Sequence, residues 1–202
     1  MKQLRLLLLL VPLGLAALAA PSQAQQLSLA QISQYLNQLQ TATGDFTQIN
    51  SDGTISTGTI YIKRPGRVRF EYAPPEQSLV IAGGGQVAIF DARSNDGPDR
   101  YPLAQTPLSI ILARNVDLAR ARMVTGHTSD GTATNVTAQD PDHPEYGSIQ
   151  LVFTSDPVEL RQWVIADDVG GETTVILGGL ATGGTLSNLL FNIQAEMRSW
   201  QQ

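Results

Sequence analysis

The sequence predicts a mainly β protein whose strands form one antiparallel sheet, curled into a barrel or a half-barrel. Short runs rich in Val, Ile, Thr, Tyr and Phe recur along the chain, separated by clusters of Gly, Asp, Asn and Pro. One helical segment precedes these runs and one interrupts them. Because 42% of the residues are hydrophobic and only 15% are charged, the protein must contain a sizeable apolar core or cavity.

The first 24 residues are typical of a cleaved secretory signal peptide. Lys2 and Arg5 precede the apolar run Leu6–Ala19, and Pro21–Ala24 provides small residues where a signal peptidase cuts. The run is shorter than the roughly 20 residues of a transmembrane helix. We therefore expect residues 25–202 to form a single exported domain with no stable membrane insertion.

The charge of the exported domain argues against nucleic acid as a partner. Cleavage leaves 11 Lys and Arg (13 minus Lys2 and Arg5) against 18 Asp and Glu, a formal charge of −7. An acidic protein is repelled by phosphate backbones and by anionic lipid surfaces. The chain has no cysteine, so we expect it to be released after export and not anchored as a lipoprotein.

The first helix is predicted from a capping box and an apolar stripe. Ser28 has the position of the N-cap, and Gln31 follows three residues later. The stripe consists of Leu29, Ile32, Leu36 and Leu39. We expect the helix to end near Thr43 and Gly44.

The strands are predicted from runs of β-forming residues between turns. They cover Phe46–Asn50, Gly53–Lys63, Arg67–Tyr72, Ser78–Ala82, Gln86–Asp91, Ala121–His127, Thr132–Ala138, Ser148–Thr154, Leu160–Ala166, Glu172–Leu177 and Asn188–Met197. The Gly83–Gly85 segment resembles a dinucleotide-binding loop, but a strand follows it instead of a helix, so it indicates a hairpin turn.

A second, short helix is predicted between the strands. Thr106 has the position of its N-cap, Pro107 is its first residue, and it ends at Arg114. Its residues are apolar nearly all round, so it must be covered on more than one side. Periodicity alone leaves two interpretations open, a buried crossover helix or a lid across the mouth of a curled sheet.

Signatures of enzymatic or metal chemistry are missing from the sequence. It has no G-x-S-x-G segment, no H-E-x-x-H segment and no cysteine nucleophile. We expect His127 and His143 at the surface, and Asp91, Asp96 and Asp99 in a solvated loop without EF-hand spacing. We therefore predict no catalytic residue, no metal and no cofactor.

Arg64 is the one charged residue predicted to point toward the apolar side of the sheet. It has the same strand parity as Ile60 and Ile62, whereas Arg67 and Arg69 are expected on a solvated face. A buried guanidinium is destabilising unless acceptors satisfy it, and backbone carbonyls at the end of a short helix are suitable acceptors. Arg64 is thus a candidate latch between sheet and helix, unless it turns out into water beyond Pro65.

Several segments together resemble the LolA family of outer-membrane lipoprotein carriers. They are Asp45–Gln48, Gly58–Pro65, Arg67–Pro75, Ser78–Asp91, Thr106–Leu108 and Leu112–Asn115. The resemblance implies a periplasmic protein, an incomplete antiparallel β-barrel of about eleven strands closed by a helical lid. In that family the arginine of the K-R-P segment holds the lid shut, and this role falls on Arg64.

The resemblance also implies cargo and partners. The cargo would be acylated lipoproteins, received from an inner-membrane lipoprotein-releasing transporter and passed to an outer-membrane lipoprotein receptor. We expect the acyl chains to lie in a cavity lined by Leu36, Phe46, Ile60, Ile62, Val68, Phe70, Tyr72, Leu79, Ile81, Phe90, Leu108, Ile111 and Leu112. The alternative is a lipid- or glycolipid-binding or sensing protein on the same fold.

Overall fold

The computed structural model describes residues 25–94, 97–120 and 122–200, in which twelve strands form one antiparallel sheet. The strands are β1 (Thr41–Ile49), β2 (Ile55–Lys63), β3 (Val68–Tyr72), β4 (Leu79–Gly83), β5 (Gln86–Phe90), β6 (Asp99–Pro102), β7 (Val124–Ser129), β8 (Thr134–Gln139), β9 (Ser148–Ser155), β10 (Val158–Ala166), β11 (Glu172–Leu177) and β12 (Ala181–Thr182). The helices are α1 (Leu29–Gln38), α2 (Leu108–Leu112) and α3 (Ile193–Trp200), with short 3₁₀ helices at Leu103–Gln105, Pro144–Tyr146 and Asn188–Phe191. The predicted signal peptide, residues 1–24, lies outside the described residues.

The sheet is open but curled. Its strands follow the order β6-β5-β4-β3-β2-β1-β11-β10-β9-β8-β7, and β12 pairs with β1. Within the described residues β6 and β7 stand at the two ends of this order and do not pair with each other. One apolar cluster nevertheless joins β1–β5 to β8–β11, which requires the sheet to bend around it. The predicted fold class, an open antiparallel sheet with few helices, is confirmed.

Ten of the eleven predicted strands overlap β1–β5 and β7–β11, and the boundaries mostly agree within a few residues. The hairpin predicted at Gly83–Gly85 is also confirmed. Gly84 and Gly85 have φ angles of 60° and 79°, and Gly83 pairs with Gln86. Positive φ at both central positions makes the two-residue turn that matches the twist of the flanking strands. Two short strands, β6 and β12, were not predicted.

The predicted capping box of α1 is present, but the helix is shorter than expected. The Ser28 hydroxyl accepts a hydrogen bond from the Gln31 amide at 3.2 Å, and the Gln31 side chain accepts one from the Ser28 amide at 2.9 Å. The prediction that the helix continues to Thr43 is wrong. The helix ends at Gln38, and the chain enters β1 at Thr41, which pairs with Lys63 at the end of β2. Residues 41–44 extend as a strand because they pair with the last residues of β2.

The strand predicted over Asn188–Met197 is also wrong, because this segment forms a 3₁₀ helix followed by α3. Asn192 starts α3, accepting a hydrogen bond from the Ala195 amide at 3.0 Å. Ile193 and Met197 are four residues apart and therefore share one helix face, which packs on the sheet.

The C-terminal segment covers the outer face of the sheet, which we define as the face opposite α1 and α2. Here lies a second apolar cluster of Leu79, Ile81, Ala88, Phe90, Phe191 and Ile193. The prediction that Leu79, Ile81 and Phe90 line the interior is therefore wrong. Strands β4 and β5 are apolar on both faces because each face is covered, and in this region Ala82 and Val87 point to the interior.

Arg69 is also on this covered face, so the predicted solvated face of β3 is wrong at this position. The side chain is 8% exposed. Its guanidinium donates to Glu71 at 2.6 Å, to Glu196 at 2.9 Å and to the Leu190 carbonyl at 3.1 Å. Burial opposes its ionisation, but the bonds to Glu196 and Glu71 outweigh burial and raise the pKa of Arg69. The ion pair fixes α3 on the sheet.

Candidate functional site

The candidate site is the interior between the curled sheet and the helix α2. The helix has five residues, and Leu108, Ile110, Ile111 and Leu112 are all buried. Pro107 precedes it, but the predicted N-cap bond from Thr106 is absent, because the Thr106 hydroxyl donates to the Leu103 carbonyl at 2.8 Å. The helix ends at Leu112, two residues before the predicted end at Arg114.

Beneath α2 lies a small apolar cavity, which we call the interior cavity. It is lined by Leu36, Leu39, Ile62, Arg64, Val68, Leu108, Ile111, Leu112, Leu160 and Trp163. Its volume is about 10 Å³, the space of a single water molecule at most. The helices α1 and α2 thus close the interior, and the cavity is too small for anything larger than a water molecule.

Arg64 connects the sheet to the end of α2. It follows β2, is 5% exposed, and its Nη2 donates to the carbonyl of Ala113, the residue directly after the helix. Next to it, the Gly66 amide donates to the Leu112 carbonyl at 2.9 Å. These are carbonyls that a helix C-terminus leaves without intrahelical partners. Burial lowers the pKa of Arg64 below its ordinary value.

Trp163 on β10 places a second buried donor at the interior cavity. It is 1% exposed, and its ring packs edge-on against Phe70 with the ring centroids 6.1 Å apart. Its indole Nε1 has no hydrogen-bond partner, and neither have Nε and Nη1 of Arg64. Among the described residues, these three are the buried side-chain nitrogen and oxygen atoms without a partner.

Two polar residues of α1 hold the chain that follows α2, and sequence reasoning did not identify them. Asn37 donates to the Val116 carbonyl at 2.8 Å and accepts from the Val116 amide at 2.9 Å. Ser33 accepts from the Leu118 amide at 2.9 Å. Asn37 and Ser33 belong to the polar part of an amphipathic helix, where most side chains are solvated, so only the tertiary fold distinguishes them.

The structure places the predicted lining residues in three locations. Six of them line the interior cavity: Leu36, Ile62, Val68, Leu108, Ile111 and Leu112. Four belong to the same apolar cluster without lining the cavity: Phe46, Ile60, Phe70 and Tyr72. The other three lie on the outer face, as described above. Leu39, Leu160 and Trp163 line the cavity without having been predicted, and two of them come from β10, far from α2 in sequence.

The histidines and the aspartates of the loop after β5 do not form a reactive cluster. The His127 Nε2 lies 2.8 Å from the Leu27 carbonyl, and His143 stacks on Tyr146 at 4.7 Å and contacts Glu145 at 3.0 Å. In the part of the chain that the structure describes, no group of three or more His, Cys, Asp or Glu residues could hold a metal ion. Asp96 lies outside the described residues.

The opposite side of α2 borders an open groove. The groove has a volume of about 390 Å³ and is lined by Pro107, Ser109, Ile110 and Ala113 together with the loop around Asp140–Asp142. The helix therefore has the closed cavity on one side and free volume on the other.

None of the helices within residues 25–94, 97–120 and 122–200 combines the length and apolar character needed to cross a membrane. Comparison with known proteins relates the chain to one family. The family described as "Outer membrane lipoprotein carrier protein LolA" matches residues 37–194.

Individual relatives agree with this match. An outer-membrane lipoprotein carrier protein from Azotobacter vinelandii is 23% identical over 203 positions, covering 95% of each chain. One from Coxiella burnetii is 24% identical over 204 positions, covering 96% of this chain and 95% of the relative. A solved LolA superfamily protein from Nitrosomonas europaea has a TM-score of 0.44 at 8% identity, covering 82% of this chain and 98% of the other.

Proposed function

The chain belongs to the LolA family of outer-membrane lipoprotein carrier proteins, and we propose that it carries lipoproteins with their acyl chains inside its apolar interior. Proteins of this family are non-enzymatic binding proteins. The family match over residues 37–194 carries the proposal. The interior supports it, because apolar residues line it and its entrance is covered by a helix of only five residues.

Burial of an acyl chain provides enough free energy, relative to exposure in water, to keep the chain inside such a carrier during transit. Each buried methylene contributes about 0.8 kcal/mol, so a 16-carbon chain contributes on the order of 12 kcal/mol. The interior cavity of about 10 Å³ holds none of this chain while α2 is in place. Carriage therefore requires an open state in which the apolar side chains move apart.

We infer that α2 is the lid and that Arg64 is its latch. The lid has free volume on its groove side, and its closed position depends on few polar contacts. Arg64 bonds to Ala113 and Gly66 bonds to Leu112, both at the C-terminal end of the lid. Breaking these two contacts leaves every strand ladder intact, so the lid can open while the sheet keeps its structure.

The route of the cargo follows from the same proposal. The predicted signal peptide would export the protein to the periplasm, where an inner-membrane lipoprotein-releasing transporter would load it and an outer-membrane lipoprotein receptor would unload it. A donor that supplies energy suits the closed interior. An acyl chain that leaves a bilayer exchanges one apolar environment for another, so little free energy remains to open the lid.

The experiment that tests the proposal is native mass spectrometry of the protein purified from the periplasm. The bound species are then released with detergent and identified. In parallel, the empty protein is mixed with a synthetic triacylated lipopeptide or with the same peptide lacking its acyl chains. We expect binding of the acylated peptide alone.

Three outcomes separate the possibilities. A co-purifying acylated polypeptide, together with binding of the lipopeptide, supports the carrier function. Free lipid or glycolipid as the sole bound species, with no lipopeptide binding, favours a lipid-binding or sensing protein on the same fold. Equal binding of both peptides would contradict an acyl-binding interior.

A further inference from the structure

One of the residues that line the interior cavity is a cation, Arg64, and no anion neutralises it among the described residues. Arg64 is almost fully buried, its side chain donates to the neutral Ala113 carbonyl, and no carboxylate pairs with it among the described residues. Arg69 provides the contrast within the same protein, because that buried guanidinium bonds to Glu71 and Glu196. Holding the lid shut uses one nitrogen of Arg64 and leaves Nε and Nη1 without partners.

The indole of Trp163 has the same property and borders the same cavity. Arg64 comes from the end of β2 and Trp163 from β10, yet both line the interior cavity. A buried donor without a partner is destabilising, and more so when it is charged. Arg64 and Trp163 both line this cavity, and their three nitrogens are the buried side-chain nitrogen and oxygen atoms without a partner in the described structure, so an acceptor that entered when the cavity opens would be most stabilised here.

We propose that the interior cavity binds the carboxylate of a long-chain fatty acid, with Arg64 and Trp163 as its hydrogen-bond donors. The acyl tail would lie among the apolar lining residues Leu36, Ile62, Leu108 and Ile111. The inference rests on the proposed function, because it uses the same opening of the lid and the same apolar walls. It adds a ligand class, a free carboxylic acid with no attached polypeptide.

The missing counter-ion favours a carboxylate over an ester or amide carbonyl. A neutral carbonyl can accept a hydrogen bond from Trp163 or Arg64, but it leaves the buried positive charge uncompensated. A carboxylate has two oxygens that match the fork of a guanidinium and neutralises its charge. Hydrogen bonds that involve an ionised group are roughly twice as strong as neutral ones.

A carboxylate bound there would also act on the lid. It would compete with the Ala113 carbonyl for the guanidinium of Arg64, and the Arg64 bond is one of the two that hold the C-terminal end of α2. Because a ligand shifts an equilibrium toward the state that it binds better, such an acid would favour the open lid.

The test compares sodium dodecanoate with methyl dodecanoate, which has the same acyl chain without the charge. Both are titrated below their solubility limits into the Trp200→Phe protein. The chain has two tryptophans, so the fluorescence of this variant reports on Trp163 alone. We expect dodecanoate to bind about tenfold or more tightly than the ester, the ratio for one charge-assisted bond pair.

Substitutions of Arg64 and Trp163 assign that ratio to the donors. Arg64→Leu should bring the ratio close to one, whatever it does to the affinity for acyl chains in general. Arg64→Lys keeps the charge and should retain most of the preference. Trp163→Phe keeps an aromatic ring and removes one donor, so it should reduce the ratio severalfold. Because this variant has lost the fluorescent tryptophan, its binding is followed by calorimetry. Thermal unfolding checks that each variant is folded.

The outcomes distinguish this inference from the carrier function. Equal affinities for acid and ester, or an unchanged ratio in Arg64→Leu, overturn the carboxylate site, and binding of the triacylated lipopeptide would then leave the carrier function standing. Failure of the lipopeptide to bind, together with a charge-dependent preference for dodecanoate, would instead retain the carboxylate site and contradict the carrier function.

Discussion

Arg64 and Tyr72 are polar residues in contact with the same apolar interior, and the fold satisfies them differently. Arg64 has one backbone acceptor and two unpartnered nitrogens. Tyr72 is half-buried between Phe46 and the sheet, and its hydroxyl donates to Gln48 at 2.7 Å. Only the first of these residues loses its partner if α2 moves. We therefore propose a role in opening for Arg64 and a role in stability for Tyr72.

Replacing Arg64 by Leu should change cargo release more than stability. The substitution removes an incompletely bonded buried charge, so we expect the free energy of unfolding to change by no more than about 1 kcal/mol. The closed, empty state loses a bond of roughly 1–2 kcal/mol, so the loaded, open state becomes relatively more favourable. Transfer of a lipopeptide to an acceptor membrane or receptor should therefore be about tenfold slower.

Arg67→Leu is the matched control for this prediction. Arg67 is half-buried beside the same turn, but it bonds to the Lys63 carbonyl and to Asn188 on the outer face. Its loss should leave the transfer rate unchanged. Transfer at the normal rate by the Arg64→Leu protein would rule out the latch.

Tyr72 should make the protein sensitive to alkaline pH. Burial raises the pKa of Tyr72 from 10.0 to about 12 in the folded protein. The stability that this shift contributes is fully present below the unfolded pKa of 10.0 and is lost as the pH rises through about 12. We expect the wild type to lose roughly 2–3 kcal/mol more than Tyr72→Phe over this interval, measured by urea unfolding.

Tyr101→Phe serves as the control, because Tyr101 is half exposed on β6. It should lose stability between these pH values as the wild type does. Parallel curves for the wild type and Tyr72→Phe would contradict the buried, neutral phenol.

At the level of elements, α2 and α3 pack on opposite faces of the sheet and depend on different interactions. The lid α2 has apolar residues nearly all round, and polar contacts fix its C-terminal end and the chain that follows it. The helix α3 is amphipathic, and a half-buried ion pair from Glu196 to Arg69 supports its apolar face. Each helix can therefore be loosened by a substitution that spares the other.

Asn37→Ala should loosen the chain that follows the lid. It removes the two hydrogen bonds to the backbone of Val116, and we expect the free energy of unfolding to fall by about 1–2 kcal/mol. Amide hydrogen exchange should become faster for residues 113–118 and remain unchanged in β9 and β10. Gln34→Ala, at an exposed position of the same helix, should change neither quantity, and the same result for Asn37→Ala would show that these bonds do not fix the segment.

Glu196→Ala should weaken the docking of α3. It removes one of the two carboxylate partners of Arg69 and the acceptor of the Trp200 indole. Because Arg69 is buried, we expect a loss of roughly 1–2 kcal/mol and a red shift of the Trp200 fluorescence as this ring leaves Phe90. The exposed pair of Glu159 and Arg161 gives the control, and Glu159→Ala should cost less than about 0.5 kcal/mol. Equal losses in the two variants would contradict a structural role of the buried pair.

The sequence predicts which side chains face the interior where one face of a strand is apolar. It predicts this less well where both faces are apolar and covered. Alternation correctly assigns Val68 and Phe70 to the interior, because β3 has polar residues between them. In β4 and β5 both sets of alternate residues are apolar, so parity cannot tell which set faces α2. Which set faces α2 depends on α3, because this helix covers the other set. A strand is predicted from the sequence where α3 forms, although Ile193 and Met197 have the four-residue spacing of a helix face.

At the level of the whole molecule, the sheet has two apolar faces with unequal cover. The interior is covered by α1 and α2, and the smaller outer cluster is covered by the segment from Leu186 to Trp200. Gly83 allows close approach of this segment, since a Cβ atom there would lie 2.1 Å from the Phe191 carbonyl oxygen. The C-terminal segment thus completes the fold and also keeps apolar strands from contact with other molecules.

Removing residues 188–202 should cause the protein to self-associate. The truncation uncovers Leu79, Ile81 and Phe90 and leaves Arg69 without Glu196. An exposed apolar patch of this kind promotes association. Sedimentation velocity should show a mass that rises with concentration, whereas the full chain and Arg93→Ala, a substitution in an exposed ion pair, should keep a constant mass. A truncated protein of constant mass would show that the outer cluster does not need this cover.

The candidate site could be predicted only in part, because it depends on strand order as well as on parity. Strand parity pointed Arg64 to the interior, where the structure places it. Trp163 and Leu160 reach the same cavity because the sheet curls and brings β10 opposite β2 and α2. No local pattern encodes that approach. The unpartnered donors are likewise visible only once both residues are placed around one cavity.

The connection that contains α2 joins the two edge strands of the sheet, β6 and β7. Every other strand is separated from its neighbour in sequence by a shorter connection, so changes in length there would disturb the register of paired strands. Between the edges no register has to be kept, because the strands at its two ends do not pair with each other. Residues 103–123 can therefore change in length without shifting a strand register, provided that the buried apolar side chains of this stretch are kept. A longer or shorter stretch there would alter the cover of the interior, while the register of the surrounding strands stays the same.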